Sequence, residues 1–173
     1  MINVNTEVPD GFERHFRQSP LTDPWEPLYS KRTEKAVIIG LRLARPHTNS
    51  RGLIHGGLIA ALSDNAMGYS CAHIMGGASS LVTIGLALDF VGTAQVGQWL
   101  SVETDVIKTG STICFAQCLI KADDSIIARA NATFRVTPKK HCEIYFAPKC
   151  HSLVSVTRSM KARTLADNSR EVG

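Results

Sequence analysis

The sequence of 173 residues contains no run of about 18 apolar residues, the length that a membrane-spanning helix needs. Its first residues also lack the basic and then apolar regions of a secretory signal peptide. The five cysteines are an odd number without a closely spaced framework, which argues against a disulfide-stabilised secreted domain. We therefore expect a soluble cytoplasmic protein with no membrane partner.

An excess of positive charge is confined to the C-terminal region. Of the 19 Lys and Arg and 15 Asp and Glu, residues 139–173 carry seven and three, which leaves 12 of each sign in residues 1–138. Nucleic-acid-binding proteins present a strongly basic surface because the phosphate backbone dominates their affinity. The body of this chain has no such surface, so we expect no nucleic-acid partner.

The chain predicts one domain with extensions at both ends. Residues 1–32 contain four prolines and scattered aromatic residues, which indicates a packed lead-in with one short helix around Phe12–Gln18. Residues 33–138 carry the regular patterns and are long enough for a sizeable core. Residues 139–173 form a basic tail without sustained periodicity.

Apolar residues recur with the period of a β-strand on both sides of one helical segment. A first strand is predicted from Lys35 to Ala44, and four more follow in residues 81–90, 100–106, 113–119 and 126–136. Proline is absent between Pro46 and Pro138, as internal strands require. Because the last four strands are joined by short connections, we expect them to form an antiparallel meander.

Between the first strand and the others lies a long helical segment, Asn49–Gly76. A polar turn leads into His55-Gly56-Gly57, and about five turns of apolar and small residues follow before Gly76-Gly77. A helix start exposes bare N–H groups and carries a partial positive charge, so it can receive a partial negative charge. The fold class predicted is α+β, with an antiparallel sheet wrapped around one long central helix.

One carboxylate, Asp64, interrupts this apolar helix. A buried acid is costly unless it is paired or used. Asp64 lies nine residues after His55, about 13.5 Å along the axis and half a turn around it, so the two cannot serve one site within one chain. Either they are unrelated, or each meets its counterpart in a second copy across a two-fold axis.

These residues, in this order, resemble the hotdog-fold thioesterases, specifically the PaaI-like branch typified by the phenylacetate-pathway acyl-CoA thioesterases. The similarity covers residues 34–137. His55-Gly56-Gly57 stands where that family has its His-Gly-Gly motif, and Asp64 stands where its helix carries the catalytic acid. Asn49 matches an asparagine often found before the motif, and Thr83 matches the Ser or Thr of the strand after the helix.

The resemblance implies a hotdog fold and an enzyme that hydrolyses acyl-CoA thioesters without a cofactor. That family assembles as homodimers, usually doubled to homotetramers, with sites shared between subunits. The Gly56 amide would then donate to the thioester oxygen, with Gly57 leaving room for the substrate. Asp64 of the neighbouring subunit would be the general base or the nucleophile, and the sequence leaves both roles open.

The matched residues also have purely structural interpretations beside the catalytic ones. Thr83 either orients the attacking water or is an ordinary strand threonine. His55 and Asn49 either contact the thioester or hold the turn by hydrogen bonds. The glycines could serve only to let the helix pass close to the sheet, and the carboxylate could pair within an interface.

Cations are needed for the phosphates of CoA. Arg51, Lys108, Arg129 and Arg135 are candidates, although solvated charges on strands follow the same pattern. We predict no metal site, because the spacing of His141-Cys142 and Cys150-His151 matches no common zinc motif and because Cys114 and Cys118 lie too far apart along one strand face.

Two other functions remain as alternatives. A hotdog hydratase or dehydratase would carry a catalytic His-Asp or His-Glu pair, which we do not find. A non-catalytic hotdog protein could bind acyl-CoA as a sensor or interaction module. Asp64 discriminates between the sensor and the enzyme, since a sensor has no need of it.

Overall fold

The computed structural model describes residues 7–77 and 79–138. Its one α-helix, α1, spans Gly56–Ile74. The strands are β1 Glu13–Arg14, β2 Tyr29–Arg32, β3 Val37–Arg42, β4 Ser79–Phe90, β5 Trp99–Thr109, β6 Ile113–Ala122 and β7 Ser125–Pro138. Short 3-10 helices occupy Asp23–Trp25 and Arg45–His47. The predicted tail, residues 139–173, lies outside the described residues.

The seven strands form one antiparallel sheet in the order β1-β2-β3-β5-β6-β7-β4, and α1 packs against it. Side chains of β6 alternate between exposed and buried along the whole strand, as expected when one face of a sheet meets a core. The buried face and the helix enclose the core, whose largest fully buried side chains include Leu62, Met67 and Phe134. The predicted α+β architecture and the helix at its centre are confirmed.

The first strand and both ends of the helix are where the sequence predicts them. β3 begins two residues after Lys35 and ends before Pro46, and α1 is followed by Gly76 and Gly77, whose φ angles are +70° and +71°. The helix is fixed to the sheet beside it by Ser70, whose hydroxyl accepts from the Val37 N–H at 2.9 Å.

The predicted meander of four consecutive strands is wrong for β4. β4 pairs with β7 along its whole length, whereas β5, β6 and β7 form the meander. Residues 91–98 can extend about 26 Å, enough to cross the three strand spacings, about 14 Å, that separate β4 from β5. β4 is therefore an edge strand.

The side chains of β4 do not alternate strictly between the two faces of the sheet, because the strand has a bulge. Its pairing with β7 shifts between Thr83 and Gly85, so Ile84 is an extra residue. Thr83 pairs with the buried Phe134, whereas Val82 pairs with the exposed Arg135. Thr83 consequently faces the helix, on the same side as Leu86 and Phe90, instead of the side opposite them that strict alternation predicts.

The lead-in does not contain the predicted helix at Phe12–Gln18. Glu13–Arg14 is a short strand that pairs with β2, and β2 in turn pairs with β3. His15 and Phe16, which follow β1, lie against the Tyr69 ring of α1. The aromatic residues that suggested a loop packed on the core thus extend the sheet and cover the helix.

None of the helices within residues 7–77 and 79–138 combines the length and the hydropathy that a bilayer span requires.

Candidate active site

The start of α1 is capped by the ring of His55. Nδ1 of His55 accepts from the Gly57 N–H at 2.9 Å, and the His55 backbone is extended, with φ −76° and ψ 126°. Because Nδ1 accepts this hydrogen bond, only Nε2 of the ring can act as a donor. His55 therefore satisfies one of the free donors of the first helical turn, and its outer nitrogen remains exposed.

The first backbone donor of the helix, the Gly56 N–H, has no acceptor within the described residues. The following amides of Leu58 and Ile59, in contrast, both donate to the His55 carbonyl. A Cβ placed on Gly56 would lie 3.0 Å from the ring of Phe90 on β4, so a side chain there would be crowded. The free amide therefore belongs to a residue that lies against the edge strand.

The structure gives a reason of its own for glycine at position 57, beside the predicted room for substrate. A Cβ at this position would lie 3.0 Å from the His55 ring, which folds back to cap the helix. The absence of a side chain at Gly57 therefore permits the cap, and its amide, being used by His55, is not available to a ligand in this arrangement.

The turn before the helix is held by Asn49. Its Oδ1 accepts from the Arg51 N–H at 2.9 Å and from the Leu53 N–H at 3.3 Å, and Gly52 takes a φ of +76° that favours glycine. The side-chain amide Nδ2 has no acceptor in the described chain. Asn49 can therefore shape the turn with its oxygen and offer its nitrogen to a ligand.

His47 holds the same turn through hydrogen bonds, and the sequence alone does not identify it as part of the site. It is 4% exposed, its Nδ1 accepts from the Ala44 N–H at 2.9 Å, and its carbonyl accepts from the His55 N–H at 3.0 Å. Burial lowers the pKa of its imidazole, against a hydrogen bond to the Trp25 backbone that raises it. A buried histidine five residues after the end of β3 gives no sequence pattern that distinguishes support from catalysis.

Asp64 and Thr83 are brought into direct contact. The Thr83 hydroxyl donates to Oδ1 of Asp64 at 2.7 Å, between the middle of the helix and the edge strand. Oδ2 of Asp64 accepts no hydrogen bond from the described residues, and the side chain is half-buried. A carboxylate oriented by one oxygen and free at the other can take a proton or attack a neighbouring carbon.

The two halves of the arrangement lie apart within one protomer. Gly56 and Asp64 are both in α1, eight residues apart, which separates them by about 12 Å along the helix axis. A thioester carbonyl cannot accept from one and lie within about 3 Å of the other, the distance that proton transfer or attack requires. Asp64 and Thr83 are placed together, and Gly56, His55 and Asn49 are placed together.

Both halves border the edge strand, whose exposed side chains are strongly apolar. Val82 and Ile84 are 53% and 58% exposed, and Leu86 and Phe90 are 40% and 56% exposed. An edge strand also presents unpaired backbone N–H and C=O groups to a second chain. This surface lies next to the Asp64–Thr83 pair and the free Gly56 amide.

The predicted phosphate-binding cations lie in different places. Arg51 is exposed in the turn before α1, near the capped end of the helix. Arg135 and Lys108 pair with Val82 and the exposed Phe115, so both lie on the outer face of the sheet, away from α1. Arg129, on the same outer face, forms an ion pair with Asp89 at 2.8 Å.

The described residues contain no group of three or more His, Cys, Asp or Glu that could hold a metal ion. Cys114 and Cys118, which the sequence analysis sets aside as a metal-binding pair, are both buried. Burial, helped by the neighbouring Cys114, raises the pKa of Cys71 to about 12, and burial raises the pKa of Cys118 to about 11. These two thiols stay protonated at neutral pH and are not nucleophiles. The predicted His141-Cys142 and Cys150-His151 pairs lie outside the described residues.

Comparison with known proteins points to one family. The model of the Thioesterase superfamily matches residues 51–128, which include Gly56, Asp64 and Thr83. A Pseudomonas aeruginosa protein named "Putative esterase PA0474" is 37% identical over 130 residues, 75% of this chain and 97% of that protein. Human acyl-coenzyme A thioesterase 13 is 29% identical over 99 residues, 56% of this chain and 70% of that enzyme.

Solved structures show the same fold. The crystal structure of a hypothetical thioesterase with coenzyme A from Streptococcus pneumoniae TIGR4 superposes with a TM-score of 0.61 at 18% identity. The superposition covers 67% of this chain and 93% of that one.

The capping role of His55 predicts how its substitution changes the stability of the protein. His55→Ala removes the acceptor of the Gly57 N–H and should lower the free energy of unfolding by about 1 kcal/mol, whereas His55→Asn, a good cap, should restore most of it. Thermal unfolding of the three proteins measures this, with an expected fall in Tm of about 2–4 °C for the alanine variant. Equal losses in the two variants would show that the ring contributes something other than the cap.

Proposed function

The chain belongs to the Thioesterase superfamily, and we propose that it hydrolyses acyl-CoA thioesters to a free acid and CoA at a site shared by two subunits. The observation that carries the proposal is the Asp64–Thr83 hydrogen bond of 2.7 Å, made at the border of a protomer whose free Gly56 amide lies too far away to complete it. The name of the human relative supports the acyl-CoA class of substrate.

The proposed assembly is a dimer in which the β4 edges of two protomers pair. Such pairing would cover the exposed apolar side chains of β4 and satisfy its unpaired backbone groups. A two-fold axis at this edge sets the helices side by side in opposite directions, so that Gly56 of one protomer faces Asp64 of the partner subunit. A homotetramer built from two such dimers is the larger assembly we propose.

In the proposed reaction, the thioester carbonyl accepts from the Gly56 N–H, which is fixed before the reaction and stabilises the oxyanion as it forms. One such donor is typically worth ~3 kcal/mol of barrier. The Asn49 Nδ2, which has no acceptor within the described chain, would be a second donor. The thiolate of CoA leaves when the tetrahedral intermediate collapses.

Asp64 acts on the opposite side of the carbonyl. With Oδ1 held by Thr83, Oδ2 either removes a proton from the attacking water or attacks the carbonyl carbon to give an anhydride that water then opens. A single turnover in ¹⁸O-labelled water separates these routes. Direct attack by water places the label in the product acid, whereas the anhydride route can leave it in Asp64.

The branch of the superfamily and the cellular location of the protein are part of the same proposal. The order Asn49, His55-Gly56-Gly57, Asp64 and Thr83 supports the PaaI-like branch of acyl-CoA thioesterases, and we place the protein in the cytoplasm. Arg51, exposed beside the capped end of the helix, is the predicted cation best located to approach a substrate bound there.

Substitution of Asp64 tests the activity directly. Asp64→Asn keeps the shape of the side chain but removes the base or nucleophile, so kcat should fall at least about 10²-fold. Thr83→Ala removes one hydrogen bond to a charged group and should cost about 10-fold or more. The measurement is release of free CoA thiol from a panel of acyl-CoAs.

The matched control is Asp124→Asn, an exposed acid in the turn between β6 and β7, which should leave turnover unchanged. If the unmodified protein bound acyl-CoAs but released no thiol from any of them, a sensor would be the better description. An Asp64→Asn variant as active as the parent would contradict the assignment of the acid.

A charged edge should separate the subunits. Val82→Glu combined with Ile84→Glu places acidic groups on the edge strand, where they would repel their counterparts across a two-fold axis. Analytical ultracentrifugation should then show a monomer without thioesterase activity, while Leu21→Glu, at an exposed apolar position away from β4, should keep the parent assembly. A monomeric variant with full activity would rule out the shared site.

A further inference from the structure

A cluster of aromatic and basic side chains covers the flank of α1 opposite the edge strand. It consists of His15, Phe16, Arg17, Arg32 and Tyr69, which we call the arginine-aromatic cluster. The His15 ring lies 4.6 Å from Phe16 and 5.3 Å from Tyr69, and Phe16 and Tyr69 are 5.5 Å apart between centroids. Three rings from the lead-in and the helix thus form one platform.

Two guanidinium groups lie over this platform. Arg32 is 4.4 Å from the centroid of Phe16, and Arg17 is 5.9 Å from the centroid of Tyr69. No carboxylate of residues 7–77 and 79–138 forms an ion pair with either of them, although Arg14 on the same segment pairs with Glu26. The platform therefore carries two positive charges that the described chain does not neutralise.

His15 adds a polar group that lacks a partner. Its Nδ1 is buried and makes no hydrogen bond within the described residues. Burial, followed by the nearby charges of Arg32 and Arg17, lowers the pKa of His15 to about 4, so the imidazole is neutral at pH 7. Buried polar atoms are nearly always satisfied, so this ring nitrogen, beside two cations without ion-pair partners, is available to a bound molecule.

The cluster lies within reach of the proposed catalytic acid of the same protomer. Tyr69 follows Asp64 by five residues, about 7.5 Å along the axis and about 140° around the helix. Burial raises the pKa of Tyr69, against the charge of Arg17, and the charge of Asp64 raises it further. Tyr69 therefore places the cluster on the same helix as Asp64, a little more than one turn further along.

We propose that the arginine-aromatic cluster binds the nucleotide end of CoA, with phosphates at Arg17 and Arg32 and the adenine stacked on the exposed ring of Phe16. This rests on the proposed function, which supplies a thioester at Asp64. Phe16 is 49% exposed, so part of the residue is accessible to a base although Arg32 lies over its ring. Guanidinium groups recognise phosphates through paired, charge-assisted hydrogen bonds, and aromatic faces stack on bases.

The length of the substrate agrees with this placement. The arm between the sulfur and the first phosphorus of CoA has about as many bonds as four residues of backbone, which extend to about 14 Å. The separation of Asp64 from the far side of its own helix is similar, since a helix with its side chains is about 10–12 Å wide. The arm could therefore cross the top of α1 and deliver the phosphates to the cluster.

The test compares one acyl group carried on CoA with the same acyl group carried on pantetheine, which lacks the nucleotide. Arg17→Met and Arg32→Met should each reduce the ratio of kcat/KM for the CoA ester to that for the pantetheine ester about 10-fold, because one phosphate contact is lost. Arg14→Met removes the same charge from the same segment, but from a paired arginine, and should keep the parent ratio.

Binding of adenosine 3′,5′-bisphosphate, measured by calorimetry, gives a readout that does not depend on turnover. The parent protein and Arg14→Met should bind it, and Arg17→Met and Arg32→Met should bind it at least about 10-fold more weakly. An unchanged ratio with unchanged binding, or an equal loss for both esters, would overturn the nucleotide site while leaving the thioesterase intact. If neither ester is hydrolysed but the nucleotide still binds through these arginines, the proposed function fails and the site stands.

Discussion

The free amide at the start of α1 is the feature on which the rest of the account depends. A helix start leaves several N–H groups without partners, and here His55 takes the Gly57 amide while the Gly56 amide stays unpaired. His47 and Asn49 fix the turn that brings the chain to this point, and the bare Gly56 lies against Phe90. A donor held rigidly costs little reorganisation when it meets a developing negative charge.

Within a single protomer, the Gly56 N–H and the Asp64 carboxylate do not come together. The straight helix that holds both Gly56 and Asp64 keeps them about 12 Å apart, and Thr83 fixes the carboxylate at the far position. The same strand that carries Thr83 ends the sheet and exposes a row of apolar side chains. The geometry of one helix and the chemistry of one edge strand thus support the same proposal, that a second copy completes the site.

The sequence predicts the parts of this arrangement that depend on local pattern. Gly56, Gly57, Gly76 and Gly77 mark the helix, the small and apolar residues between them bury it, and Asp64 is conspicuous as its only acid. It does not predict the bulge at Ile84, because alternation of side chains is read residue by residue and a bulge shifts it without a local signal.

The sequence does not predict the contacts between distant parts of the chain, for a similar reason. The crossing of residues 91–98 looks like an ordinary turn, since a connection of this length allows either neighbouring or distant strands to pair. His15, Arg32 and Tyr69 meet only after the lead-in folds over α1, and no spacing in the sequence relates them. The resemblance to hotdog thioesterases identifies the motif residues, whereas the partners of each residue come from the fold.

Subunit complementation tests the shared site most directly. Asp64→Asn removes the acid, and Gly56→Pro removes the amide hydrogen at a place where the backbone accepts proline, since proline suits the first helical position and the extended backbone of His55 suits the residue before it. Gly56→Ala, which keeps the amide, controls for crowding against Phe90. Each inactive variant alone should stay inactive, and mixed dimers formed from equal amounts should recover about a quarter of the parent thioesterase activity, because half of them contain one intact site. Mixed dimers that form but recover no activity would contradict the account.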